Sequence, residues 1–375
     1  GAQPYAILEG WQGACDGGGS IKKMEWSDVS SILAEGGTVI GTARSAEFRT
    51  YEGRHRAAAN LLEHGIDHLV VIGGDGSLSG TNEFRGEWSQ HVAELVSEGV
   101  ITQEFADAHP SLIIVGLVGS IDNDMVGTDM TIGADTALHR ILDAIDQLTS
   151  TAASHQRTFV VEVMGRHCGY LPLMAAVAGG ADYVFTPEDP ARPGWQDDLA
   201  EHLRLGREAG RRESIVLVAE GAHDRDGNEL STQLIADTIE ERTGEDARVT
   251  ILGHVQRGGT PSAYDRWMST LLGYAAVQEI LASSAEDEPV ILGVRRNRIT
   301  RIPLMKAVHD TRAVKDLIAA GDYAAAQASR GSSFSSMVGI NQILSTPPQL
   351  TPEPTGEIKR VAILHAGGLA PGMNT

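Results

Sequence analysis

Gly119-Ser120-Ile121-Asp122-Asn123-Asp124 is the stretch on which the predicted fold depends, because it directly follows an unbroken apolar run at residues 112–118. An apolar run of that length next to glycine is typical of a buried parallel strand, and open α/β sheets place their chemistry at the carboxyl ends of such strands. In an extended backbone the carboxylates of Asp122 and Asp124 would point the same way. Such a pair can share a cation or divide into a base and a metal ligand. Taken alone, the hexapeptide also fits an Asx-turn that closes a strand.

Composition and charge narrow the possible classes of protein. A chain of 375 residues with 42% hydrophobic and 21% charged residues suits two or three globular domains, and we find neither a signal peptide nor a membrane-spanning run. The net charge of −20 argues against binding nucleic acid through bulk electrostatics, so positive charge for an anionic ligand must be local. The two cysteines, Cys15 and Cys168, show no metal-ligand spacing, and we expect free thiols in a reducing cytoplasm.

Strand and helix patterns alternate along the chain, which predicts an α/β protein with parallel sheets and right-handed crossovers. We expect two Rossmann-like parallel-sheet lobes with the active site in the cleft between them. Several local predictions are tested below: a helix at residues 26–35, a strand at 38–45, a helical insertion at 85–110, a helix capped by Asp135 or Thr136, a linker at 345–356 and a strand at 360–364.

A glycine-rich turn after the apolar strand at residues 69–72 is the second stretch that carries chemistry, Gly73-Gly74-Asp75-Gly76-Ser77. Glycines after a strand let backbone amides approach a phosphate, and the N-terminus of the following helix favours negative charge. Asp75 would repel a bare phosphate, but a Mg²⁺ ion between the two removes that conflict. Because such turns also serve as plain connectors, a purely structural role is the alternative.

Acids and arginines near the other glycine-rich turns predict phosphoryl transfer. We assign Asp75 and Asp124 to Mg²⁺, Arg44 to nucleotide phosphate, and Asp122 to the proton of an acceptor hydroxyl. Four further arginines exceed what a magnesium nucleotide needs, and we assign them to a second phosphate, on the acceptor: Arg157, Arg166, Arg248 and Arg257. Glu220 and His254 can hold sugar hydroxyls or that phosphate. The residues therefore predict a magnesium-dependent kinase acting on a phosphorylated, hydroxyl-bearing small molecule.

Five motifs together resemble the 6-phosphofructokinase family in order and spacing. They are Gly73-Gly74-Asp75-Gly76-Ser77, Gly119-Ser120-Ile121-Asp122-Asn123-Asp124, Ser154-His155-Gln156-Arg157, Met164-Gly165-Arg166 and Gly253-His254-Val255-Gln256-Arg257-Gly258-Gly259. The likeness covers residues 1 to about 345. With the insertion near 85–110, the chain resembles the N-terminal catalytic half of the double-length, ATP-dependent eukaryotic type.

The resemblance implies transfer of a phosphoryl group from MgATP to the 1-hydroxyl of fructose 6-phosphate in glycolysis, by an allosteric, cytoplasmic homo-oligomer. It implies Asp122 as general base, with Arg44 and Arg166 as further catalytic residues. The implied ATP site comprises Arg44, Ser45, Gly74, Asp75, Gly76 and Ser77. The implied sugar-phosphate site comprises Ser120, Ile121, Asp122, Met164, Gly165, Arg166, Glu220, His254, Val255, Gln256 and Arg257. Arg157 and Arg248 match arginines that reach a neighbouring subunit's site, which implies a tetramer or larger assembly without nucleic acid or membrane partners.

The resemblance also predicts a domain organisation. We expect an ATP-binding lobe at residues 1–133 plus 255–303, a fructose 6-phosphate lobe at 134–254 plus 304–344, a linker at 345–357, and the start of a C-terminal regulatory half at 358–375. The family's opening strand is not found before Gly1, and a sequence of that type occurs only from Gly367 to Asn374, so we expect a fragment. Thr149 lies near where bacterial relatives carry an effector-binding arginine, so we do not expect activation by ADP of the bacterial kind.

Three other functions remain as alternatives. A pyrophosphate-dependent phosphofructokinase would tend to carry larger residues at Gly76 and near Ser120, so Gly76 and Gly119 favour ATP. Lipid and NAD kinases share the Gly-Gly-Asp-Gly turn but lack the sugar-phosphate arginines. A regulatory half that binds sugar phosphates without turnover would typically lose its acid pair, whereas Asp122 and Asp124 are both present.

Overall fold

Strands and helices alternate in the computed structural model, which describes residues 2–350, 356, 359–364 and 370–373. The N-terminal elements are β1 (Tyr5–Ile7), α1 (Trp11–Asp16), β2 (Ile21–Lys23), α2 (Tyr51–Glu63), β3 (His68–Gly73), α3 (Asp75–Ser97), α4 (Gln103–Ala108) and β4 (Ile113–Val118). The central elements are α5 (Ala134–His155), β5 (Thr158–Val163), α6 (Tyr170–Gly179), β6 (Tyr183–Phe185), α7 (Trp195–Glu208), β7 (Ser214–Ala219), α8 (Thr232–Thr243) and β8 (Ala247–Ile251). The remaining elements are α9 (Ala263–Ala282), β9 (Val290–Arg295), β10 (Arg298–Pro303), α10 (Leu304–Ala319), α11 (Tyr323–Ser329) and α12 (Ser332–Ser345).

The first large sheet has the strand order β10-β9-β4-β3, in which β10 alone runs antiparallel. Its two faces are covered by separate cores, as a sheet that is mostly parallel requires. On β4, Ile114 packs into the core formed with α2, α3 and α10, whereas Val115 packs against α9 on the opposite face. The period-two alternation of a strand thus explains why the apolar run at 112–118 is unbroken.

The second large sheet is wholly parallel, with the order β6-β7-β5-β8. On β5, Val160 packs into a core with α7 and α8, while Val161 packs on the other face against α5 and α6. All six residues of β7 are buried. Two parallel-sheet lobes, each with helices on both faces, confirm the predicted fold class.

One predicted lobe boundary is wrong. We placed residues 304–344 with the second lobe, but Leu304, Ala307 and Val308 of α10 belong to the core of the first sheet. By contrast α12 packs against α6 of the second lobe. The buried apolar face of α10 is the physical reason for its position, and the rest of the proposed domain division stays a prediction.

Two predicted elements in the first fifty residues are also wrong. Residues 26–35 form two short 3-10 helices, Trp26–Val29 and Ile32–Ala34, because Trp26 is 88% exposed and the segment has no core to pack on. Residues 38–45 form no strand. Two backbone hydrogen bonds, Glu9 N to Ile40 O and Ala43 N to Glu9 O, hold that segment to the turn between β1 and α1.

Predictions near the C-terminus had mixed outcomes. Residues 360–364 form no strand in the described part of the chain, and their apolar side chains Val361 and Ile363 are exposed. The linker prediction at 345–356 overlaps the end of α12 and a 3-10 turn at Pro348–Leu350, and residues 351–355 and the glycines 367 and 368 lie outside the described residues. The strand β10 and the helix α12 were not predicted.

The outer edge of the first sheet is formed by β3, whose Val70 and Ile72 are 41% and 61% exposed. Within the described residues, β4 is the one strand that pairs with β3. None of the helices in that same part of the chain is both long and apolar enough to cross a membrane.

Candidate active site

The ends of β3 and β4 bring the two sequence motifs of the first lobe side by side. In the parallel register Gly73 lies opposite Val118, and the Gly119 amide donates a 3.3 Å hydrogen bond to the Gly73 carbonyl. A Cβ on Gly119 would lie 3.1 Å from the Ile72 side chain, so the strands can approach this closely because residue 119 is glycine. The glycine-rich turn at Gly74 and the acidic hexapeptide therefore share one edge of the sheet.

Asn123 fixes the acidic loop. Its side-chain oxygen accepts hydrogen bonds from the backbone amide and the hydroxyl of Thr131, at 2.8 and 3.0 Å, and its amide nitrogen donates to the Asp129 carbonyl at 3.1 Å. The backbone of Asn123 is left-handed, with φ of 50°. Because Asn tolerates this conformation well, the loop can turn here and direct Asp122 inward.

Asp122 is a buried carboxylate in an electrostatically mixed environment. The residue is 2% exposed, and its Oδ1 has no hydrogen-bond partner among the described residues. Its Oδ2 lies 3.5 Å from Nε of Arg166. Burial, with the nearby charge of Asp124, raises the pKa of Asp122 to about 6, against the opposing effect of Arg257 and Arg166. A carboxylate with such a pKa can exchange a proton near neutral pH.

Loops of the second lobe reach the same place. After β5, the Met164 amide donates to the side chain of Gln256 at 3.1 Å, and the Arg166 amide donates to Glu220 at 3.2 Å. Gln256 is 1% exposed and also donates to the Gly253 carbonyl at 3.0 Å. The loops that follow β5, β7 and β8 are thus joined to each other, and they place Arg166 against Asp122.

The predicted sugar-phosphate residues near these contacts differ in their exposure. Ser120 and Met164 are half-buried, and the Ser120 hydroxyl accepts from the Asp122 amide at 3.3 Å. The 3-10 turn Gly253–Arg257 leaves His254, Val255 and Arg257 exposed beside the buried Gln256. Exposed side chains thus lie next to the buried Gln256, and the charge of Arg257 acts on the buried Asp122.

Arg157 and Arg248 do not join this group within the chain. Both pair with Asp246, at 2.6 and 2.9 Å, where β5 and β8 begin. The six residues of β5 separate that end of the sheet from Arg166 by about 20 Å. The four arginines that we assigned to a second phosphate therefore form two separate pairs.

The glycine-rich turn leads directly into α3, whose first residue is Asp75. The Asp75 carboxylate is 37% exposed and lies 3.6 Å from Arg312, a residue that sequence analysis did not select. Cβ atoms added at Gly74 and Gly76 would meet nothing within 4 Å, and neither residue has a positive φ. The fold itself does not require glycine at these two positions.

Asp75 and Asp124 offer oxygen ligands of the kind that Mg²⁺ binds. Both carboxylates are half-exposed at neighbouring strand ends, and the Asp124 Oδ1 lies 3.5 Å from the Ser120 hydroxyl. Magnesium is usually bound through one or two carboxylates together with waters and substrate phosphates. The donor set therefore fits a magnesium nucleotide.

Arg44 and Ser45 lie on the segment between β2 and α2. Arg44 is exposed on the segment where the predicted strand is absent, and no described contact joins it to Asp75 or Asp122. The Ser45 hydroxyl accepts from the Phe48 amide at 3.0 Å, at the start of a 3-10 turn.

Sequence analysis missed a buried ion pair next to the site, between Arg330 and Glu188. Arg330 donates to the carbonyls of Asp124 and His167, both at 2.7 Å, and to the carboxylate of Glu188 at 2.8 Å. Glu188 also accepts from the Gly169 amide at 2.9 Å. One guanidinium thereby holds the loops after β4 and β5 together. Neither residue lies at a glycine-rich strand end, the signal on which our predictions depended.

The fold and site define a class of two-lobed α/β protein in which acids and arginines converge from the strand ends of two parallel sheets. A family model described as phosphofructokinase matches residues 1–280, and the chain belongs to that family.

Two curated relatives and one solved structure illustrate the similarity. ATP-dependent 6-phosphofructokinase, liver type, of Bos taurus is 48% identical over all of this chain and 48% of the relative. The Aspergillus fumigatus ATP-dependent 6-phosphofructokinase is 48% identical over 99% of this chain and 46% of the relative. The phosphofructokinase structure from Saccharomyces cerevisiae gives a TM-score of 0.89 at 50% identity, over 90% of this chain and 45% of the other.

These comparisons confirm the predicted resemblance to the double-length, ATP-dependent type. The chain spans about half the length of the curated relatives that it matches.

Proposed function

We propose that this protein is an ATP-dependent 6-phosphofructokinase, which transfers the γ-phosphoryl group of ATP to the 1-hydroxyl of fructose 6-phosphate and releases ADP and fructose 1,6-bisphosphate. The observation that carries the proposal is the buried, unpartnered Oδ1 of Asp122 beside Arg166. Relatives at 48% identity carry the name of this activity.

In the proposed reaction Asp122 takes the proton of the 1-hydroxyl. The hydroxyl oxygen then forms a bond to the γ-phosphorus, and the bond from that phosphorus to the β–γ bridging oxygen breaks, with its electron pair leaving on ADP. A carboxylate with a pKa of about 6 is largely ionised at neutral pH and yet more basic than an ordinary aspartate. Arg166, close to that carboxylate, is suited to neutralise charge on the transferred group.

The proposed nucleotide site lies at the glycine-rich turn, with Arg44, Ser45, Gly74, Asp75, Gly76 and Ser77 around the phosphates. Asp75 and Asp124 would hold Mg²⁺, which neutralises phosphate charge when bound. The open space at Gly74 and Gly76 supports ATP over pyrophosphate, since glycine there serves no need of the fold and leaves room for a larger donor.

The proposed sugar-phosphate site comprises Ser120, Ile121, Met164, Gly165, Arg166, Glu220, His254, Val255, Gln256 and Arg257. We also propose that Arg157 and Arg248 serve the site of a neighbouring subunit in a homo-oligomer. Their distance of about 20 Å from Arg166 along β5 supports this role, because they cannot reach Asp122 of their own chain. A cytoplasmic location is part of the proposal, supported by the buried free thiols Cys15 and Cys168.

The experiment measures the rate of ADP release from ATP in the presence of fructose 6-phosphate. It compares the wild-type protein with the variant Asp122→Asn. Because a positioned base contributes about 10²–10⁴-fold, we expect kcat to fall by that factor while KM for both substrates changes little. Asp226→Asn is the matched control, since Asp226 is an exposed acid in a polar loop.

Three outcomes would contradict parts of the proposal. Near-normal turnover by Asp122→Asn would remove the base assignment. Turnover with pyrophosphate but not with ATP would reverse the choice of donor. Binding of fructose 6-phosphate without any turnover by the wild-type protein would indicate a regulatory half.

A further inference from the structure

Two histidines and a glutamate meet where α2 packs against α3, away from the candidate active site. His55 lies on α2, and His91 and Glu94 lie on α3. The Nδ1 atoms of the two imidazoles are 3.3 Å apart, and Nδ1 of His55 is 3.5 Å from Oε2 of Glu94. These three potential ligand atoms all lie within 4.8 Å of one another.

The other nitrogen of each ring faces a carboxylate. Nε2 of His55 lies 3.4 Å from Glu98, and Nε2 of His91 lies 3.3 Å from Glu87. The second contact lacks the angle of a hydrogen bond, so Nε2 of the fully buried His91 has no hydrogen-bond partner among the described residues. When the proton of each ring is on Nε2, beside its carboxylate, the two Nδ1 lone pairs face each other. Two lone pairs at this distance repel unless a proton or a cation lies between them.

We propose that His55 Nδ1, His91 Nδ1 and Glu94 bind a divalent transition-metal ion of the Zn²⁺ class. Metal–ligand bonds of about 2.0–2.1 Å in a tetrahedron put neighbouring ligand atoms about 3.3–3.4 Å apart. The separations of 3.3 Å between the two Nδ1 atoms and 3.5 Å from His55 Nδ1 to Glu94 match two edges of that tetrahedron, and the third pair of ligand atoms lies within 4.8 Å. Two imidazoles and one carboxylate favour Zn²⁺ or Co²⁺, whereas Mg²⁺ and Ca²⁺ prefer oxygen ligands.

Groups around the three ligands are placed as metal sites require. Arg54 holds Glu87 with two hydrogen bonds, at 2.6 and 2.8 Å, and so orients the carboxylate that faces His91. Tyr51 donates to Glu94 at 2.8 Å. Such outer contacts fix the ring orientation and raise ligand basicity. The side chains of His55 and Glu94 are 17% and 37% exposed, which leaves a path for the ion and room for a water as fourth ligand.

The proposed ion would join α2 to α3 and take no part in catalysis. His91 lies sixteen positions after Asp75 on the same helix, about 24 Å along its axis. We therefore expect metal binding to raise thermal stability, because a ligand that binds the folded state alone stabilises it. Basal turnover of variants at the metal site should stay close to the wild-type value.

The test is titration of the metal-stripped protein with Zn²⁺ and Co²⁺ in an excess of Mg²⁺, which keeps the oxygen-rich sites occupied. We expect one equivalent to bind, a visible Co²⁺ spectrum of the tetrahedral type, and a higher melting temperature with Zn²⁺. His55→Leu and His91→Leu should abolish all three signals. Glu87→Gln should weaken binding by about 10–100-fold. His309→Gln is the control, since His309 is exposed on α10 beside a single carboxylate, Asp310.

The proposal fails if no saturable equivalent binds, which would mean that the histidines share a proton. It also fails if binding persists in both histidine variants, or if the Co²⁺ spectrum is octahedral. Should His91→Leu not fold, His55→Leu at the more exposed position decides the matter through the same Co²⁺ spectrum.

Discussion

Asp122 and Asp124 share one loop but lie in different environments, and this difference separates their proposed roles. Asp122 is buried next to guanidinium groups and has a raised pKa, whereas Asp124 is half-exposed beside a hydroxyl. A base benefits from the first environment, while a metal ligand needs the access that the second provides. Sequence analysis assigned these roles from the chemistry of the two acids and then from the family resemblance, and the different burial of the two side chains supports the same division.

The raised pKa of Asp122 makes a prediction about stability. A carboxyl group with a folded pKa of about 6, above its ordinary value, stabilises the folded protein at low pH, and this contribution disappears as pH rises through 6. Asp122→Asn, which is neutral at every pH, should therefore stabilise the protein at pH 7.5 by on the order of 2 kcal/mol. The gain should vanish near pH 4, where Asp122 is protonated.

Melting temperatures of wild-type and variant protein measured from pH 4 to pH 8 check this prediction. Asp226→Asn is again the control, because its exposed carboxylate should give no pH-dependent difference. If the variant is less stable than the wild-type protein at pH 7.5, burial of the ionised Asp122 carboxylate does not destabilise the folded state.

Residues of the site were predictable where the signal was local. Gly119 to Asp124, Asp75 and Arg166 each lie at the end of an apolar run beside glycine, and such strand ends meet in an α/β sheet. Arg330 was missed because its partners Glu188 and Asp124 are 142 and 206 positions away in sequence. Arg312 was missed for the same reason, since its partners Asp75 and Ser79 come from a distant helix.

Among whole elements, strands with both faces buried were predicted well. The strands β4 and β7 are almost entirely apolar because a separate core covers each face, whereas β5 also carries the half-buried Glu162. The predictions of a helix at residues 26–35 and a strand at 360–364 were wrong. An apolar pattern forms regular structure when it can pack on a surface, and the side chains of Trp26 and Val361 are exposed instead. Conversely, β10 was missed because charged residues and a proline fit its position at a sheet edge.

The N-terminus of α5 also differs from prediction and provides a test. We expected Asp135 or Thr136 to cap this helix, but its N-cap is Gly133, which has no side chain to do so. Asp265 of α9 supplies the missing acceptor. Its carboxylate accepts from the amides of Gly133 and Thr136, each at 2.9 Å, and it is 3% exposed. A negative charge at this end also suits the helix dipole.

Asp265→Asn should destabilise the protein by about 1–3 kcal/mol, because the amide loses the charge and one acceptor oxygen where two backbone donors must be satisfied. Urea unfolding followed by circular dichroism is the measurement. Asp107→Asn is the control, since Asp107 is exposed on α4 and accepts one hydrogen bond from Gln103. Equal urea midpoints for the two variants would show that α5 does not depend on Asp265.

At the scale of the whole molecule, Arg330 is one of the residues that join the two lobes. Its guanidinium binds the loop after β4, from the first sheet, and the loop after β5, from the second. The side chains of Arg330 and Glu188 are 6% and 0% exposed. The chain after β10 crosses between lobes through α10, α11 and α12, a path that the predicted boundary at residue 304 did not capture.

Removing one partner of this buried pair should cost about 3–5 kcal/mol, because the other charge is left uncompensated. Arg330→Met should therefore destabilise strongly and lower kcat/KM, since the loops that carry Asp124 and His167 lose a shared donor. The double variant Glu188→Gln with Arg330→Met should lose less stability than the sum of the two single variants. Thermal melts and the ADP-release assay measure both effects. Additive losses would mean that the two charges act independently.

The exposed edge of β3 has a practical consequence for handling the 375-residue chain. Among the residues that the structure describes, β3 has one strand partner, and its other edge, on a strand with exposed Val70 and Ile72 and no proline or lysine, is a template for strand addition from a second molecule. Concentrated solutions should therefore tend toward aggregation, and more so in sulfate or phosphate buffers, which strengthen apolar association. Crystallisation and storage are best begun at low protein concentration.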